Sequence, residues 1–359
     1  MTFPTTDANQ DGRLIIGGPN RIVTETPSAD STETLRQPRR ERGLLAKAPA
    51  GALPTFVVGG TLRAATSSLY SFFGGRPDIG MSGQKEPHFF SFAGADTIRH
   101  GPYEDPSDIV TDLADYRSLF AHCATDPVRG ECSSSYLYLA ERAAPLLREL
   151  IPEARLIFVL RDPVERAYSH YRLQRLYGWE PAQTFEEALA KEEQRIAAGW
   201  LFPFHYRAIG NYAGQIPHYL EHFPREQIRF VRFERMVRDW PRVARELLDF
   251  IGADADAASI AELPRENQSG LPRSHRLAAT AFGHGRARHL AHRLVPVRRL
   301  RRLIGQTILR LNKRSGDVIP PRAAAMLAEH YRPDAERLRE LIGLDVSAWF
   351  EAWDRASGA

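Results

Sequence analysis

Three short stretches collect the side chains that bind anions or move protons. The first is Gly60-Thr61-Leu62-Arg63-Ala64-Ala65-Thr66-Ser67-Ser68-Leu69, where the fixed positive charge of Arg63 and the hydroxyls of Thr66, Ser67 and Ser68 follow a glycine pair at 59–60. The second runs from Arg161 through Asp162, Pro163 and Glu165 to Arg166, Ser169 and Tyr171. The third is Lys85-Glu86-Pro87-His88-Phe89-Phe90. Hydroxyls, guanidinium groups and helix-start N–H groups together hold phosphate-type anions. A carboxylate beside an imidazole can accept and pass a proton.

The surrounding residues say what must position these groups. Phe56, Val57 and Val58 form an apolar run that Gly59 and Gly60 break. Leu69, Phe72 and Phe73 then recur at helical spacing, so Thr66 opens a helix. Strand, glycine turn and helix start form an anion cradle, although an ordinary strand–turn–helix of an α/β core has the same pattern. The loop is not of the ATP-hydrolysing G-x-x-x-x-G-K-[ST] kind. Gly60 fits its first position, but Ala65 replaces the second glycine and Thr66 stands where the lysine belongs. It can still hold a phosphate ester through backbone and hydroxyl donors.

Leu156 to Leu160 is a continuous apolar run, the pattern of a strand buried on both faces. Asp162 as N-cap, Pro163 in the first turn and Glu165 at the third helical position then spell a helix start. Arg161 therefore falls at the carboxyl end of a central strand, where open α/β sheets bind ligands. With Ser169 on the following helix it can hold a second phosphate. Glu86 and His88 are two apart and face the same way in an extended segment. The residues alone leave another reading open, a surface Lys85–Glu86 ion pair with His88 packed on Phe89.

These stretches resemble the PAPS-dependent sulfotransferase family. Gly60 to Leu69 matches its 5′-phosphosulfate motif, G-x-x-R-x-A-T-S-S-L, and Arg161 to Tyr171 matches its 3′-phosphate motif, R-D-P-x-x-R-A-x-S-x-Y. Lys85 to Phe90 is similar to the K-E-x-H-F-F segment of the heparan-sulfate-type and related bacterial branch. The resemblance spans roughly residues 54–350. Two positions depart from it: Ala65 stands where glycine is usual, and Ile209 precedes Gly210 where an Arg-Gly pair is common.

The resemblance implies a P-loop-like three-layer α/β fold with a mainly parallel central sheet flanked by helices. It implies transfer of the sulfuryl group of PAPS to an acceptor hydroxyl of a carbohydrate, lipid-linked or small molecule, leaving PAP and a sulfate ester. Arg63, Ala64, Ala65, Thr66, Ser67 and Ser68 would hold the phosphosulfate, and Arg161 with Ser169 the 3′-phosphate. Arg63 also serves the leaving oxygen. Glu86 becomes the catalytic base, assisted by His88, with Lys85 supporting Glu86 or the sulfuryl oxygens. Arg273, in the turn-rich loop 267–274, takes the role of a residue closing over the donor. No metal is required. Two other classes stay open: a P-loop-type small-molecule or nucleotide kinase, and a non-catalytic protein binding anions or a membrane.

The rest of the 359-residue chain sets the frame. At 43% hydrophobic composition it can bury one large core. A net charge of +4 suits an anionic donor or substrate. Cys123 and Cys132 are too few for a disulfide scaffold, lack metal spacing and read as reduced, buried thiols. Residues 1–50 read as a disordered polar leader and 51–355 as the sulfotransferase domain. No apolar run spans a bilayer and the N-terminus lacks a signal-type segment, so a cytoplasmic enzyme is expected.

Helices are expected over 112–124, 138–151, 184–198, 211–222 and 240–251, with a strand over 228–233. Glu131 to Tyr136 form a Ser-rich turn, either at the sheet mouth or capping the next helix. The aromatic stretch from Trp200 to Tyr206 lines a substrate pocket or packs as a lid. From Arg286 to Arg314 there are ten basic residues and no Asp or Glu, with an apolar stripe at three- and four-residue steps. That pattern fits a surface helix docked on the core, or an element lying peripherally on an anionic inner-membrane face. It has few aromatics for base stacking, which argues against nucleic acid.

Overall fold

The computed structural model describes residues 53–98, 101, 108–255, 260, 262–264, 270–282, 307–309, 311–314 and 318–357. The leader 1–50 and most of the basic segment 286–314 lie outside these residues. Among the described residues no helix is long and apolar enough to cross a membrane.

Five parallel strands make the central sheet, in the order β2-β3-β1-β4-β5. They are β1 (Phe56–Gly60), β2 (Gly80–Met81), β3 (Arg129–Cys132), β4 (Arg155–Leu160) and β5 (Ile228–Arg232). Side-chain alternation splits the core into two layers. Val57, Leu156, Phe158 and Leu160 face one side, against α4 (Ala140–Leu150), α8 (Tyr212–His222) and the long helix Pro321–Ile342. Phe56, Val58, Ile157 and Val159 face the other, against α1 (Thr66–Gly74) and α10 (Trp240–Ile251), which follows the short α9 (Phe233–Arg238). Burial on both faces is why β1 and β4 read as unbroken apolar runs. α10 turns Val243, Ala244, Leu247, Leu248 and Ile251 inward and ends on Gly252 in the left-handed conformation, as its spacing predicts.

The sheet is laid out around β1. The chain leaves β1 for β2 and β3 on one side, then crosses to β4 and β5 on the other. This reversal opens a crevice at the carboxyl ends of the strands. Into it run residues 61–65 after β1, 82–88 after β2, 133–135 after β3 and 161 after β4. All three stretches singled out in the sequence therefore meet at one sheet edge.

Several expectations change in detail. The helix expected over 184–198 is two short ones, α6 (Phe185–Ala190) and α7 (Glu192–Ala197). Residues 112–124 give α3 (Leu113–Ser118) and a 3₁₀ turn. The Lys85–Phe90 block is not extended: it ends in the short helix α2 (Phe89–Phe92). The aromatic stretch 200–206 packs inward, with Phe202, Phe204 and Tyr206 buried, so it is packing rather than an open pocket. Both cysteines are free and buried.

Candidate active site

The donor side begins at the end of β1. The β1–β4 register slips between Val58 and Gly60, a bulge that brings the backbone onto Phe158. A Cβ on Gly59 would lie 2.4 Å from the Phe158 ring. Gly60 has φ 148°, open mainly to glycine. The turn is then tied down by Thr61 N–H donating to the Val159 carbonyl (2.9 Å) and Ala64 N–H to the Thr61 carbonyl (3.1 Å). Ala64 thus spends its N–H inside the turn and its methyl in the core. Arg63 and Ala65 have φ 72° and 62°, left-handed values that cost about 1–2 kcal/mol for a residue with a side chain. Ala65 takes this strain at the position where the family pattern has glycine.

α1 begins at Thr66 with no side chain capping it. Its first-turn N–H groups have no partner within the helix and carry the positive end of its dipole. Thr66 and Ser68 are buried beneath them and Ser67 is half-buried.

The second donor element is the β4–α5 junction, where α5 spans Pro163–Leu176. Asp162 caps it as expected, accepting from Val164 N–H (2.9 Å) and Glu165 N–H (3.4 Å). The reciprocal bond of the cap comes from Glu234, which accepts Asp162 N–H at 3.0 Å, while Glu165 turns to Arg161 instead. A second support arrives from the C-terminal helix Ser347–Ser357: Trp353 Nε1 donates to both Asp162 carboxyl oxygens at 3.1 Å. Burial pushes the Asp162 carboxyl up to about 7 against these bonds.

Arg63 joins the two elements. Its Nε donates to Ser169 Oγ at 3.1 Å, and Arg161 Nη1 donates to the Arg63 carbonyl at 3.2 Å. Arg161 also lies over the Phe233 ring, 4.9 Å from its centroid. Burial first, then the Arg161 charge, lower the Arg63 guanidinium to about 10. The charge of Arg161 thus acts on the Arg63 guanidinium, which suits both to an anion. Arg166, three residues before Ser169 on α5, is fully buried and donates to the Tyr206 carbonyl.

The acid–base side follows β2. Glu86 pairs with Lys85 through one carboxyl oxygen and meets His88 Nε2 through the other at 3.4 Å. Burial alone would raise the Glu86 carboxyl. The Lys85 ammonium and the His88 ring outweigh it and hold Glu86 well below the usual carboxylate range. Glu86 and His88 stand side by side, but through left-handed backbone (φ 56° and 54°) and not through an extended strand. The Lys85–Glu86 pair of the alternative reading does form. His88, however, is buried and engaged: its Nδ1 lies 2.8 Å from Ser135 Oγ, and its ring meets Phe202 edge-on. The serines of the 133–135 turn do not cap α4, whose N-terminal residue Leu139 has no side-chain cap. They bind the His88 segment.

Among the described residues, Arg273 makes no side-chain hydrogen bond or ion pair to this cluster. It follows β6 (Leu271–Pro272), is exposed, and its backbone pairs with Asn312. Across the hairpin, Lys313 of β7 (Lys313–Arg314) is the cation that feels Arg172 and Arg63, which lower its ammonium after burial. Tyr116, Glu234, Trp353 and Lys313 are the supporting residues that sequence reasoning did not place. Glu131, read with the Ser-rich turn 131–136, lies on β3, with only Cys132 between it and the serine cluster. Among the described residues no group of His, Cys, Asp or Glu has the arrangement of a metal site.

Fold and cleft together define an α/β protein that gathers an anion-binding strand–turn–helix, a second cationic strand end and a buried carboxylate–imidazole pair at one sheet edge. Residues 87–268 match the family described as "Sulfotransferase domain", and the chain belongs to that family. It is 29% identical over 229 residues to human heparan sulfate glucosamine 3-O-sulfotransferase 3B1, covering 63% of this chain and 53% of that protein. It is 31% identical over 202 residues to the human 3A1 enzyme, covering 56% and 44%. The chain thus spans about half the length of these relatives. The crystal structure of a sulfotransferase from Alicyclobacillus acidocaldarius superposes with a TM-score of 0.62 at 27% identity, over 83% of this chain and 99% of that one.

Proposed function

We propose that the protein transfers the sulfuryl group of PAPS to an acceptor hydroxyl, releasing PAP, and that residues 51–355 act as one sulfotransferase unit. The observation that carries this reading is Arg63. One residue bonds Ser169, receives Arg161 on its carbonyl, and lies within the electrostatic reach of Glu86. The two anion elements and the proton acceptor therefore converge on a single residue.

The residues present suit such a donor. The uncapped start of α1 with Thr66, Ser67 and Ser68 would hold the phosphosulfate, and Arg161 with Ser169 the 3′-phosphate. PAPS brings an activated sulfuryl group whose transfer needs an in-line oxygen nucleophile and charge stabilisation on the leaving phosphate. Arg63 supplies that charge. Glu86, ionised throughout the physiological range, accepts the proton of the acceptor hydroxyl. His88 orients it, and Lys85 balances its charge. The kinase alternative is disfavoured by Thr66 at the place of the phosphate-reaching lysine. The named relatives act on heparan sulfate glucosamine, which supports a carbohydrate hydroxyl as acceptor. Incubation of the protein with labelled PAPS and a panel of glycans, lipids and small alcohols tests this. Label is expected in a glycan product; release of no PAP with any acceptor class would overturn the proposal.

A further inference from the structure

We infer that Glu131 is a positioning residue for the proton-transfer segment, acting through the Ser133 and Tyr136 hydroxyls on the backbone of His88 and Phe90. The inference rests on the sulfuryl-transfer reading for its functional meaning and on hydrogen bonds for its geometry.

Glu131 sits on β3, opposite Val57, with no solvent exposure. Its Oε1 accepts from Tyr136 OH (2.5 Å) and Tyr116 OH (3.2 Å), and its Oε2 from Ser133 Oγ (2.8 Å). A hydroxyl has one proton. Ser133 and Tyr136 donate theirs to the carboxylate and so turn lone pairs outward. Those lone pairs accept the next donors: His88 N–H at 3.0 Å on Ser133 Oγ, and Phe90 N–H at 3.4 Å on Tyr136 OH. The carboxylate thus sets the polarity of both chains. Glu86 N–H donates to the neighbouring Cys132 carbonyl at 3.0 Å, so the end of β3 is the template for the whole 86–90 segment. Glu86 and His88 adopt left-handed backbone, which persists only where the surroundings over-determine it.

The arrangement is sensitive to one proton. The groups facing Glu131 are Tyr116 from α3, Ser133 and Tyr136 from the turn, Tyr219 from α8, Glu86 from the reactive segment and Cys132 on its own strand. No cationic side chain bonds it among the described contacts. Burial pushes its carboxyl up to about 7 against the three hydroxyl donors, with the Glu86 charge adding to the rise. A protonated Glu131 is itself a donor. One hydroxyl then loses its acceptor, and the bond it passes on to His88 or Phe90 is disturbed. Glu86 is held well below the usual carboxylate range, and Asp162, whose carboxyl also lies at about 7, caps α5 on the donor side. An acid limb near neutrality that Glu131→Gln removes therefore belongs to Glu131.

The test is Glu131→Gln, which keeps the shape but presents a donor where Ser133 or Tyr136 needs an acceptor. Expected are PAP affinity within about twofold of wild type, a kcat lower by about tenfold or more, and loss of the acid limb near pH 7. Backbone amide exchange over residues 86–92 should also be faster. Ser133→Ala removes one relay and leaves Glu131 in place. It carries the same test if the Gln variant does not fold, with faster exchange at His88 expected. Wild-type kcat with an unchanged pH profile, or unchanged exchange over 86–92 in Ser133→Ala, would overturn the role. Exchange needs no turnover, so it decides the positioning role even if wild type transfers no sulfuryl group, an outcome that would remove only the functional reading.

Discussion

The donor side and the acid–base side of the cleft lie at the same sheet edge but are held by different means. The donor side is built from strand ends, a helix start and two arginines. Its backbone is set locally by a β1 bulge and a side-chain cap on α5, with Glu234 and Trp353 bracing that cap from afar. The acid–base side is a segment of left-handed residues laid on another part of the chain. Its bonds run to Ser133, Ser135 and Tyr136, some 45 residues away in sequence. Binding groups can be set by local backbone geometry. A base that must meet a proton at a fixed distance requires a template from outside its own segment.

The comparison predicts that the two sides fail separately. The largest expected effect is on the base. Glu86→Gln should lower turnover by roughly 10²-fold or more with PAP binding nearly unchanged. Turnover within a few-fold of wild type would move the base elsewhere, first to His88. Next is the donor side: Arg161→Ala removes a charge-assisted contact and should weaken PAP by about 10- to 100-fold in calorimetry. An Arg161→Ala variant that loses turnover while binding PAP normally would merge the two sides.

A smaller effect sharpens the electrostatics. Lys85→Met removes the first charge that holds Glu86 down, so the Glu86 carboxyl should rise towards or above its ordinary range in an NMR titration of the carboxyl carbons. No movement would assign the stabilisation to His88 alone. Stability should respond on the donor side. Burial raises the folded Asp162 carboxyl from 3.8 to about 7, so the folded state holds a proton that the unfolded chain has released between those values. This contribution is present at low pH and is lost as pH rises through 7. Asp162→Asn should flatten the fall in unfolding free energy between about pH 4 and 7 measured in denaturant. An identical slope would mean Asp162 titrates normally. The smallest effect is Ala65→Gly. It relieves left-handed strain of about 1–2 kcal/mol but loosens the unfolded chain, for a net Tm rise of about 1–2 °C. A fall in Tm would show that the methyl packs favourably.

The same contrast explains what the sequence made legible. β1, β4 and the start of α5 were readable because both faces of a parallel strand are buried and because Asp162 and Pro163 are local signals. Arg63, Arg161 and Ser169 follow from those elements by position alone. The conformation at Glu86 and His88 was not readable, since neither residue type favours a positive φ and the bonds that impose it come from β3 and the turn after it. The same holds for Trp353 on Asp162 and Lys313 near Arg63: each depends on contacts across more than a hundred residues, which no local spacing encodes.

The central claim is that Arg63 and Arg161 form a site for a nucleotide carrying both 5′- and 3′-phosphate groups. Calorimetric titration of the wild-type protein with PAP, and separately with ADP, tests it most directly. The account predicts saturable one-to-one binding of PAP and at least tenfold weaker binding of ADP, which lacks the 3′-phosphate for Arg161 and Ser169. Equal affinity for the two nucleotides, or no binding of PAP, would contradict it.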